Sequence, residues 1–242
     1  MSAHVPKTAM VLAAGLGLRM RPITETLPKP LIRIAGRTLL DRALDCLAEA
    51  GVETAVVNIH HLGEQVTRHV AGRTRPRVVI SDESERLLDS AGGIVKALPL
   101  LGSEPFVILN ADTFWIDEGG SNLERLVLAW DGGRMDILLM LAGVANATGH
   151  SGGTDFLLGA DGRLARSRGA SEGLIYAGAA IAHPRIFAGA RAEPHSLNLY
   201  FDRAIGKGRL FGMEMRGRWI TVGTPDAIPA AEAAVAERAL AP

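Results

Sequence analysis

A glycine-containing loop followed by two cations is the part of the sequence that points most directly to chemistry. Gly15 and Gly17 follow a short apolar segment, Thr8 to Ala14, and are followed in turn by Arg19 and Lys29. Because glycines lack side chains, backbone N–H groups in such a loop can approach a phosphate closely. Guanidinium and ammonium groups both bind phosphate oxygens. The pattern therefore predicts a site for a phosphorylated ligand.

Two well-known phosphate-loop motifs do not fit this segment. A dinucleotide-binding fingerprint requires a third glycine where Met20 stands, and Pro22 interrupts any following helix. A Walker loop requires Gly-Lys-Ser/Thr, which the segment lacks. Lys29 lies between Pro28 and Pro30, which fix the backbone on both sides, so its ammonium group loses little conformational freedom on binding. The plain alternative is a strand-to-loop turn with two solvated cations.

An acidic residue follows another predicted strand, over residues 106–110. Asp112 comes two residues after the end of this strand. In open α/β sheets, ligands bind outside the carboxyl ends of the strands. Mg²⁺ needs only one or two protein carboxylates when phosphate oxygens and waters complete its shell. We therefore expect Asp112 to hold Mg²⁺ beside the phosphates, and the alternative is an N-cap or turn aspartate.

Strands and helices alternate in the first half of the chain, and these elements must position the loop and the aspartate. Short apolar runs predict buried strands, and helical spacing of apolar residues predicts helices. Strands are predicted over 8–14, 54–59, 77–80, 106–110 and 136–141, and helices over 38–50, 63–70, 91–98 and 123–130. Alternation of this kind indicates an α/β fold whose mostly parallel sheet is covered on both faces.

The second half is less regular. Its composition predicts strands over 154–158, 176–182 and 209–215, helices over 197–205 and 227–239, and a flexible loop over 146–153. No internal repeat and no Pro- or Ser-rich linker divides the sequence. We therefore expect a single domain over residues 1–242, with a substrate-binding lobe in its second half.

Composition narrows the class of protein. The 242 residues contain 26 Lys and Arg and 26 Asp and Glu, so a nucleic-acid partner, which usually needs a basic excess, is not expected. A single cysteine, Cys46, excludes an intrachain disulfide. Since no run of about 18 apolar residues occurs, no membrane span is expected. These features predict a soluble, cytoplasmic protein, and they do not indicate an oligomeric state.

The loop and later landmarks resemble those of the sugar-1-phosphate nucleotidyltransferases. The matching strings are Ala13 to Arg19, Pro28 to Pro30, Leu88 to Ile94, Leu109 to Asp112, His183 to Pro184, and Trp219 to Pro225. The chain is most similar to the short bacterial N-acetylmuramate-1-phosphate uridylyltransferases. The resemblance implies a three-layer, Rossmann-like fold with a mostly parallel, mixed sheet. It also implies a nucleotide-binding part over about residues 1–115 and a sugar-binding part over about 116–242.

The resemblance implies a reaction in which an NTP and a sugar 1-phosphate give an NDP-sugar and pyrophosphate, with Mg²⁺ as cofactor. UTP is the favoured nucleotide, with N-acetylmuramate 1-phosphate or another hexose 1-phosphate as acceptor. Arg19, Lys29 and Asp112 would be catalytic, and Asp112 would be the metal ligand. The nucleotide would be bound by Ala13, Ala14, Gly15, Gly17, Leu18, Arg19, Lys29, Glu83 and Gly93, and the sugar by Asn110 and Asp155.

One departure from the family pattern concerns the metal. These enzymes usually supply a second carboxylate where this chain has Thr221. One alternative is that a water replaces that ligand, and another is that Asp202, Glu214 or Asp226 supplies the carboxylate from elsewhere in the chain. A third alternative is a nucleotide-sugar-binding regulator with reduced turnover. Phosphocholine cytidylyltransferase activity is a further alternative, since short members of this fold perform it.

Overall fold

A seven-stranded sheet forms the centre of the computed structural model, which describes residues 5–240. In spatial order its strands are Leu210–Glu214 (β13), Ile137–Ala142 (β8), Ile175–Ala182 (β12), Phe106–Asn110 (β6), Thr8–Leu12 (β1), Thr54–Ile59 (β4) and Arg77–Asp82 (β5). β12 runs antiparallel to both of its neighbours, whereas the other pairs are parallel. The predicted mostly parallel, mixed sheet is confirmed.

Both faces of this sheet are covered by helices. The six helices of the described chain are Leu39–Glu49 (α1), Gly63–Val70 (α2), Asp89–Leu101 (α3), Asn122–Ala129 (α4), Asn198–Gly206 (α5) and Ala227–Leu240 (α6). α1, α2 and α4 share one apolar core with the sheet, and α3 and α5 share the other. In β1, Met10 faces the α3 side while Ala9 and Val11 face the α1 side, so the strand is apolar throughout.

Three short strands that the sequence did not reveal form a separate sheet. They are Thr113–Asp117 (β7), Gly217–Thr221 (β14) and Ala147–Thr148 (β9), and β14 lies between the other two. α6 packs on this sheet, since Ala231 and Ala234 share an apolar cluster with Phe114 and Ile220. The prediction of a flexible loop over 146–153 is therefore wrong at β9, whose residues are held by pairing with β14.

Two hairpins complete the chain, Arg33–Ile34 (β2) with Arg37–Thr38 (β3), and Phe156–Leu158 (β10) with Leu164–Arg166 (β11). Two predicted boundaries need correction. β1 ends at Leu12 rather than residue 14, because the Ala13 N–H donates to a side chain instead of a neighbouring strand. The helix predicted over 91–98 spans Asp89–Leu101, so Gly92 and Gly93 lie within it. No helix in the described part of the chain is both long and apolar enough to cross a membrane.

Candidate active site

Gly17 shapes the loop that follows β1. Its φ of +63° is a left-handed conformation that favours glycine. A Cβ there would lie only 2.8 Å from Thr24 Cγ2 and 3.3 Å from Lys29 Cβ. The Thr24 hydroxyl also donates to the Gly17 carbonyl oxygen at 2.8 Å. The loop is thus packed directly against the segment that carries Lys29.

The base of the loop is held by Asn58, at the carboxyl end of β4. Asn58 Oδ1 accepts from the Ala13 N–H at 2.7 Å, and Asn58 Nδ2 donates to Glu83 Oε1 at 2.7 Å. The other oxygen of Glu83 accepts from the Leu88 N–H at 2.9 Å. This chain of hydrogen bonds joins the phosphate loop to the turn before α3. The sequence analysis missed Asn58, although an amide in an otherwise apolar strand was an available signal.

Glu83 and Gly93 lie behind this loop. The Glu83 side chain is fully buried, and both of its oxygens already have partners within the protein. A Cβ on Gly93 would lie 2.6 Å from Glu83 Oε1 and 2.8 Å from Asn58 Nδ2, so only glycine fits here. As placed, Glu83 supports the site through Asn58. Direct contact of Glu83 with a nucleotide base stays a prediction that requires this cluster to open.

An ion pair joins two of the three candidate catalytic groups, which lie 83 positions apart in the sequence. Lys29 Nζ lies 2.7 Å from Asp112 Oδ2, with the lysine side chain 11% exposed and the aspartate 39% exposed. Lys29 begins a 3₁₀ turn, and Asp112 follows the carboxyl end of β6. The fold therefore places a cation and an anion together at the edge where ligands of open α/β sheets bind.

Arg19 lies against the segment after β14. A Cβ on Gly223 would lie 3.7 Å from both terminal nitrogens of Arg19. The Val222 N–H donates to the Asp112 carbonyl oxygen at 3.1 Å, so this segment borders Asp112 as well. Thr221, which takes the place of the expected second carboxylate, pairs with Thr113 at the end of β14.

Two adjoining cavities occupy this edge of the sheet. The first, which we name the loop cavity, has a volume of about 310 Å³ and is lined by six of the twelve predicted site residues. Those residues are Ala13, Ala14, Gly15, Lys29, Asn110 and Asp112. The second, the lobe cavity, has a volume of about 190 Å³ and is lined by Asp155 and Tyr176. Leu12, Ser90 and Asn110 line both cavities, so they form one continuous cleft.

Several predicted site residues lie outside the loop cavity. Gly17, Leu18 and Arg19 are not among its lining residues; Gly17 is half-buried, and Leu18 and Arg19 are exposed. Tyr176 was not predicted, and nothing in its sequence context marks it as a site residue. Gly178, two residues after Tyr176 in β12, has φ of +79°, and a Cβ there would lie 2.5 Å from Thr113 Oγ1. This irregularity of β12 lets the strand pass close to β6 and β7.

The residues around Asp112 fit a metal that is completed by its substrate. In residues 5–240, no group of three or more His, Cys, Asp and Glu side chains forms a preformed metal cage. Asp112 offers one carboxylate at the cavity wall, which suffices for Mg²⁺ when phosphate oxygens supply the other ligands. Mg²⁺ at Asp112 stays a prediction, and the arrangement suits it.

Two of the three suggested replacement carboxylates do not reach this position. Asp202 Oδ1 instead pairs with Arg166 Nε at 2.7 Å. Glu214 is exposed on β13, three strands away from β6 in the sheet. The expectation that either residue joins Asp112 is therefore wrong. Asp226, which is exposed just before α6, stays a candidate.

Comparison with known proteins agrees with this geometry. The family model described as MobA-like NTP transferase domain matches residues 9–140. An N-acetylmuramate alpha-1-phosphate uridylyltransferase of Caulobacter vibrioides is 44% identical over 241 residues, which cover 97% of this chain and 99% of that protein. The protein of the same description from Neisseria meningitidis serogroup B is 33% identical, over 89% of this chain and 93% of its own length.

Solved structures support the fold. An inositol-1-phosphate CTP transferase from T. maritima superposes with a TM-score of 0.74 over 96% of both chains, at 18% sequence identity. A UDP-glucose pyrophosphorylase bound to UDP-glucose gives a TM-score of 0.73 over 96% of this chain and 99% of its own, again at 18% identity. At such identities the likeness concerns the fold alone.

Proposed function

This chain belongs to the MobA-like NTP transferase family, and from that premise we propose that it transfers the uridylyl group of UTP to N-acetylmuramate 1-phosphate, with Mg²⁺ as cofactor. It is a nucleotidyltransferase acting on a sugar 1-phosphate. The observation that carries the choice of substrates is the 44% identity, over 97% of the chain, with the Caulobacter enzyme. The reaction gives UDP-N-acetylmuramate and pyrophosphate.

The continuous cleft supports this reaction. A phosphate oxygen of the sugar 1-phosphate attacks the α-phosphorus of UTP, the bond from that phosphorus to the bridging oxygen breaks, and pyrophosphate leaves with the electron pair. No protein nucleophile is needed, since the task is to align two anions and neutralise their charge. The loop cavity suits the triphosphate and the lobe cavity suits the sugar, and Asn110 lies where they meet.

The cations around the cleft supply the neutralisation. Lys29 binds the α-phosphate or the attacking phosphate, and its prolines and the packing of Gly17 hold it in place. Arg19, whose side chain is exposed, contacts the β- and γ-phosphates that leave as pyrophosphate. Backbone N–H groups between Ala14 and Gly17 bind further phosphate oxygens. The Asn58 amide keeps this loop in register with the rest of the site.

Nucleotide binding changes the partner of Lys29. In the ligand-free arrangement its ammonium group is paired with Asp112. When Lys29 turns to a phosphate oxygen, the Asp112 carboxylate becomes available as a metal ligand. A magnesium ion held there would supply positive charge between the α-phosphate and the leaving group. The ion pair therefore keeps both groups neutralised until substrate arrives.

A pyrophosphate-release panel tests the proposal. Purified protein is assayed with UTP, CTP, GTP, ATP and dTTP against N-acetylmuramate 1-phosphate, N-acetylglucosamine 1-phosphate, glucose 1-phosphate and phosphocholine, with and without Mg²⁺. The expected result is turnover that is highest with UTP and N-acetylmuramate 1-phosphate and is lost on removal of Mg²⁺. Preference for CTP with phosphocholine would instead favour the cytidylyltransferase alternative.

Thr221 motivates a second test, aimed at the regulator alternative. A threonine hydroxyl is a weaker ligand for a hard cation than a carboxylate. We expect robust turnover of the natural protein, and we expect Thr221→Asp to lower the Mg²⁺ concentration needed for half-maximal rate. Negligible natural turnover that Thr221→Asp raises more than a hundredfold would favour a regulator that has lost its chemistry.

A further inference from the structure

The phenol hydroxyl of Tyr176 is a buried polar group without a partner. Its oxygen is closed off from solvent, and no hydrogen-bonding atom in residues 5–240 lies within reach of it. Its ring packs edge-on against Phe201, with centroids 5.5 Å apart. Because a buried hydroxyl without a hydrogen bond weakens folding, proteins rarely keep one, and each case calls for an explanation.

The location of Tyr176 supplies that explanation. The side chain lines the lobe cavity next to Asp155. The backbone N–H of Tyr176 donates to Asp155 Oδ2 at 2.8 Å, which fixes the Asp155 carboxylate at the main chain of Tyr176. Burial, and secondly the Asp155 charge, raise the pKa of Tyr176, so the hydroxyl keeps its proton and is a hydrogen-bond donor. The lobe cavity is therefore lined by an acceptor, Asp155, and by a tyrosine whose buried hydroxyl is an unused donor.

The other tyrosine of the chain shows the contrasting arrangement. Tyr200 is also buried, but its hydroxyl is paired with His195 Nε2 at 3.0 Å. It lies on α5 and does not line the lobe cavity. The Tyr200 hydroxyl thus has a hydrogen-bond partner within the protein, whereas the Tyr176 hydroxyl has none among residues 5–240 and is free to bind a ligand.

We propose that Tyr176 is a specificity-determining residue that, together with Asp155, binds the acetamido group of an N-acetylhexosamine 1-phosphate. An acetamido group carries one N–H donor and one carbonyl acceptor. The N–H donates to Asp155, and the carbonyl oxygen accepts from the Tyr176 hydroxyl. The inference rests on the proposed function, because it names the substituent that the same cleft selects. A small movement of the Tyr176 side chain on sugar binding brings its hydroxyl to the ligand.

Tyr176→Phe tests this directly, with Tyr200→Phe as the matched control. KM for N-acetylmuramate 1-phosphate is measured together with the dissociation constants of N-acetylglucosamine 1-phosphate and glucose 1-phosphate, which differ at the acetamido position. For Tyr176→Phe we expect KM and the dissociation constant of the acetylated sugar to rise about tenfold to hundredfold. The dissociation constant of glucose 1-phosphate, KM for UTP and kcat should stay within about threefold. Tyr200→Phe should leave every one of these values unchanged.

A second variant approaches the pair from the acceptor side. Asp155→Asn replaces a pure acceptor by an amide, and we expect it to reduce the preference for the acetylated over the non-acetylated sugar as well. Equal losses for both sugars in Tyr176→Phe, or no loss for either, would overturn the inference. So would a lowered melting temperature with unchanged sugar affinity, because the hydroxyl would then serve folding alone.

The two proposals fail in different ways. If the natural protein turns over no sugar 1-phosphate, the proposed function falls and this inference falls with it. If the natural protein is active on N-acetylmuramate 1-phosphate but Tyr176→Phe discriminates N-acetylglucosamine 1-phosphate from glucose 1-phosphate as well as the natural protein does, only the inference is wrong.

Discussion

Two ion-pair clusters stand at opposite edges of the central sheet, and they differ in how completely they are satisfied. Asp112 follows the carboxyl end of β6 and has one cationic partner, Lys29, at 2.7 Å. Asp136 precedes the amino end of β8, and its Oδ1 accepts from Arg185 Nε at 2.7 Å and Arg209 Nε at 2.9 Å. The Asp112 side chain is 39% exposed, whereas that of Asp136 is 9% exposed.

Hydrogen bonds to backbone carbonyl oxygens further fix the cluster at Asp136. Arg185 also donates to the carbonyl oxygens of Gly132 and Met135, at 2.8 and 2.7 Å. Arg209 donates to the same stretch of chain. Burial acts to raise the pKa of Asp136. The hydrogen bonds from Arg209 and Arg185 nevertheless hold this pKa below its ordinary value. This cluster uses its hydrogen-bonding capacity to join β8, β12 and β13.

The difference indicates what each cluster is for. A largely buried carboxylate that two fixed guanidinium groups hold contributes to folding. A partly exposed carboxylate with a single lysine partner contributes less to folding and can exchange that partner for a ligand. Substitutions that affect turnover and stability separately test this difference between the two clusters.

The largest expected effect is on turnover, in Asp112→Asn. We expect pyrophosphate release to fall about 10³- to 10⁵-fold, as when a positioned charge is lost in phosphoryl transfer. The free energy of unfolding should change by less than about 1 kcal/mol, because the pair is partly exposed. Steady-state assays and urea unfolding measure the two quantities. Asp161→Asn, at an exposed aspartate paired with Arg163, is the control, and turnover within tenfold of the natural protein would refute the role of Asp112.

Lys29→Met should have the next largest effect. Removal of the ammonium group is expected to lower kcat about 10²- to 10³-fold, because phosphate charge is then left unneutralised. Lys7→Met, at an exposed lysine paired with Glu53, should leave the rate unchanged. A rise in KM for UTP with unchanged kcat would contradict this prediction, since it would restrict Lys29 to ground-state binding.

Asp136→Asn should lower stability and leave turnover unchanged, which is the opposite of the effect expected for Asp112→Asn. It leaves two guanidinium groups without their carboxylate, and we expect the free energy of unfolding to fall by about 2–3 kcal/mol. kcat of the folded protein should be unchanged, since the site lies at the other edge of the sheet. Urea unfolding followed by circular dichroism gives the first value. A loss of turnover without a loss of stability would remove the distinction between the two clusters.

The smallest effect is the pH dependence of that stability difference. Because the pKa of Asp136 is lowered in the folded state, its contribution to the free energy of unfolding is fully present above the ordinary aspartate pKa of about 4. This contribution is lost as the pH falls through the lower pKa of the folded state. The gap in unfolding free energy between the natural protein and Asp136→Asn should therefore narrow between pH 5 and about pH 2. A constant gap over this range would show that the charge of Asp136 is not what stabilises the cluster.

Much of the central sheet was predictable because its signals are local. Its strands are short apolar runs, and the intervening helices carry apolar residues at helical spacing, so the order of elements follows from the chain itself. The backbone of the loop after β1 was equally predictable, since Gly17 adopts a conformation that favours glycine and the prolines beside Lys29 fix its backbone. Phosphate binding by this loop stays a prediction. The small sheet of β7, β9 and β14 was missed, because strands of two to five residues leave little periodicity to detect.

The family, the α/β class and the residue types suited to binding phosphate could be predicted from the residues alone. The fold was needed to show that Lys29 meets Asp112 across 83 positions, that Asn58 joins the loop to Glu83, and that the Tyr176 hydroxyl has no partner among residues 5–240. Hydrophobic periodicity and turn residues depend only on residues close together in the sequence, so they can be recognised without knowing the fold. Partners across a sheet depend on strand order, and whether a polar group is satisfied depends on everything that packs around it.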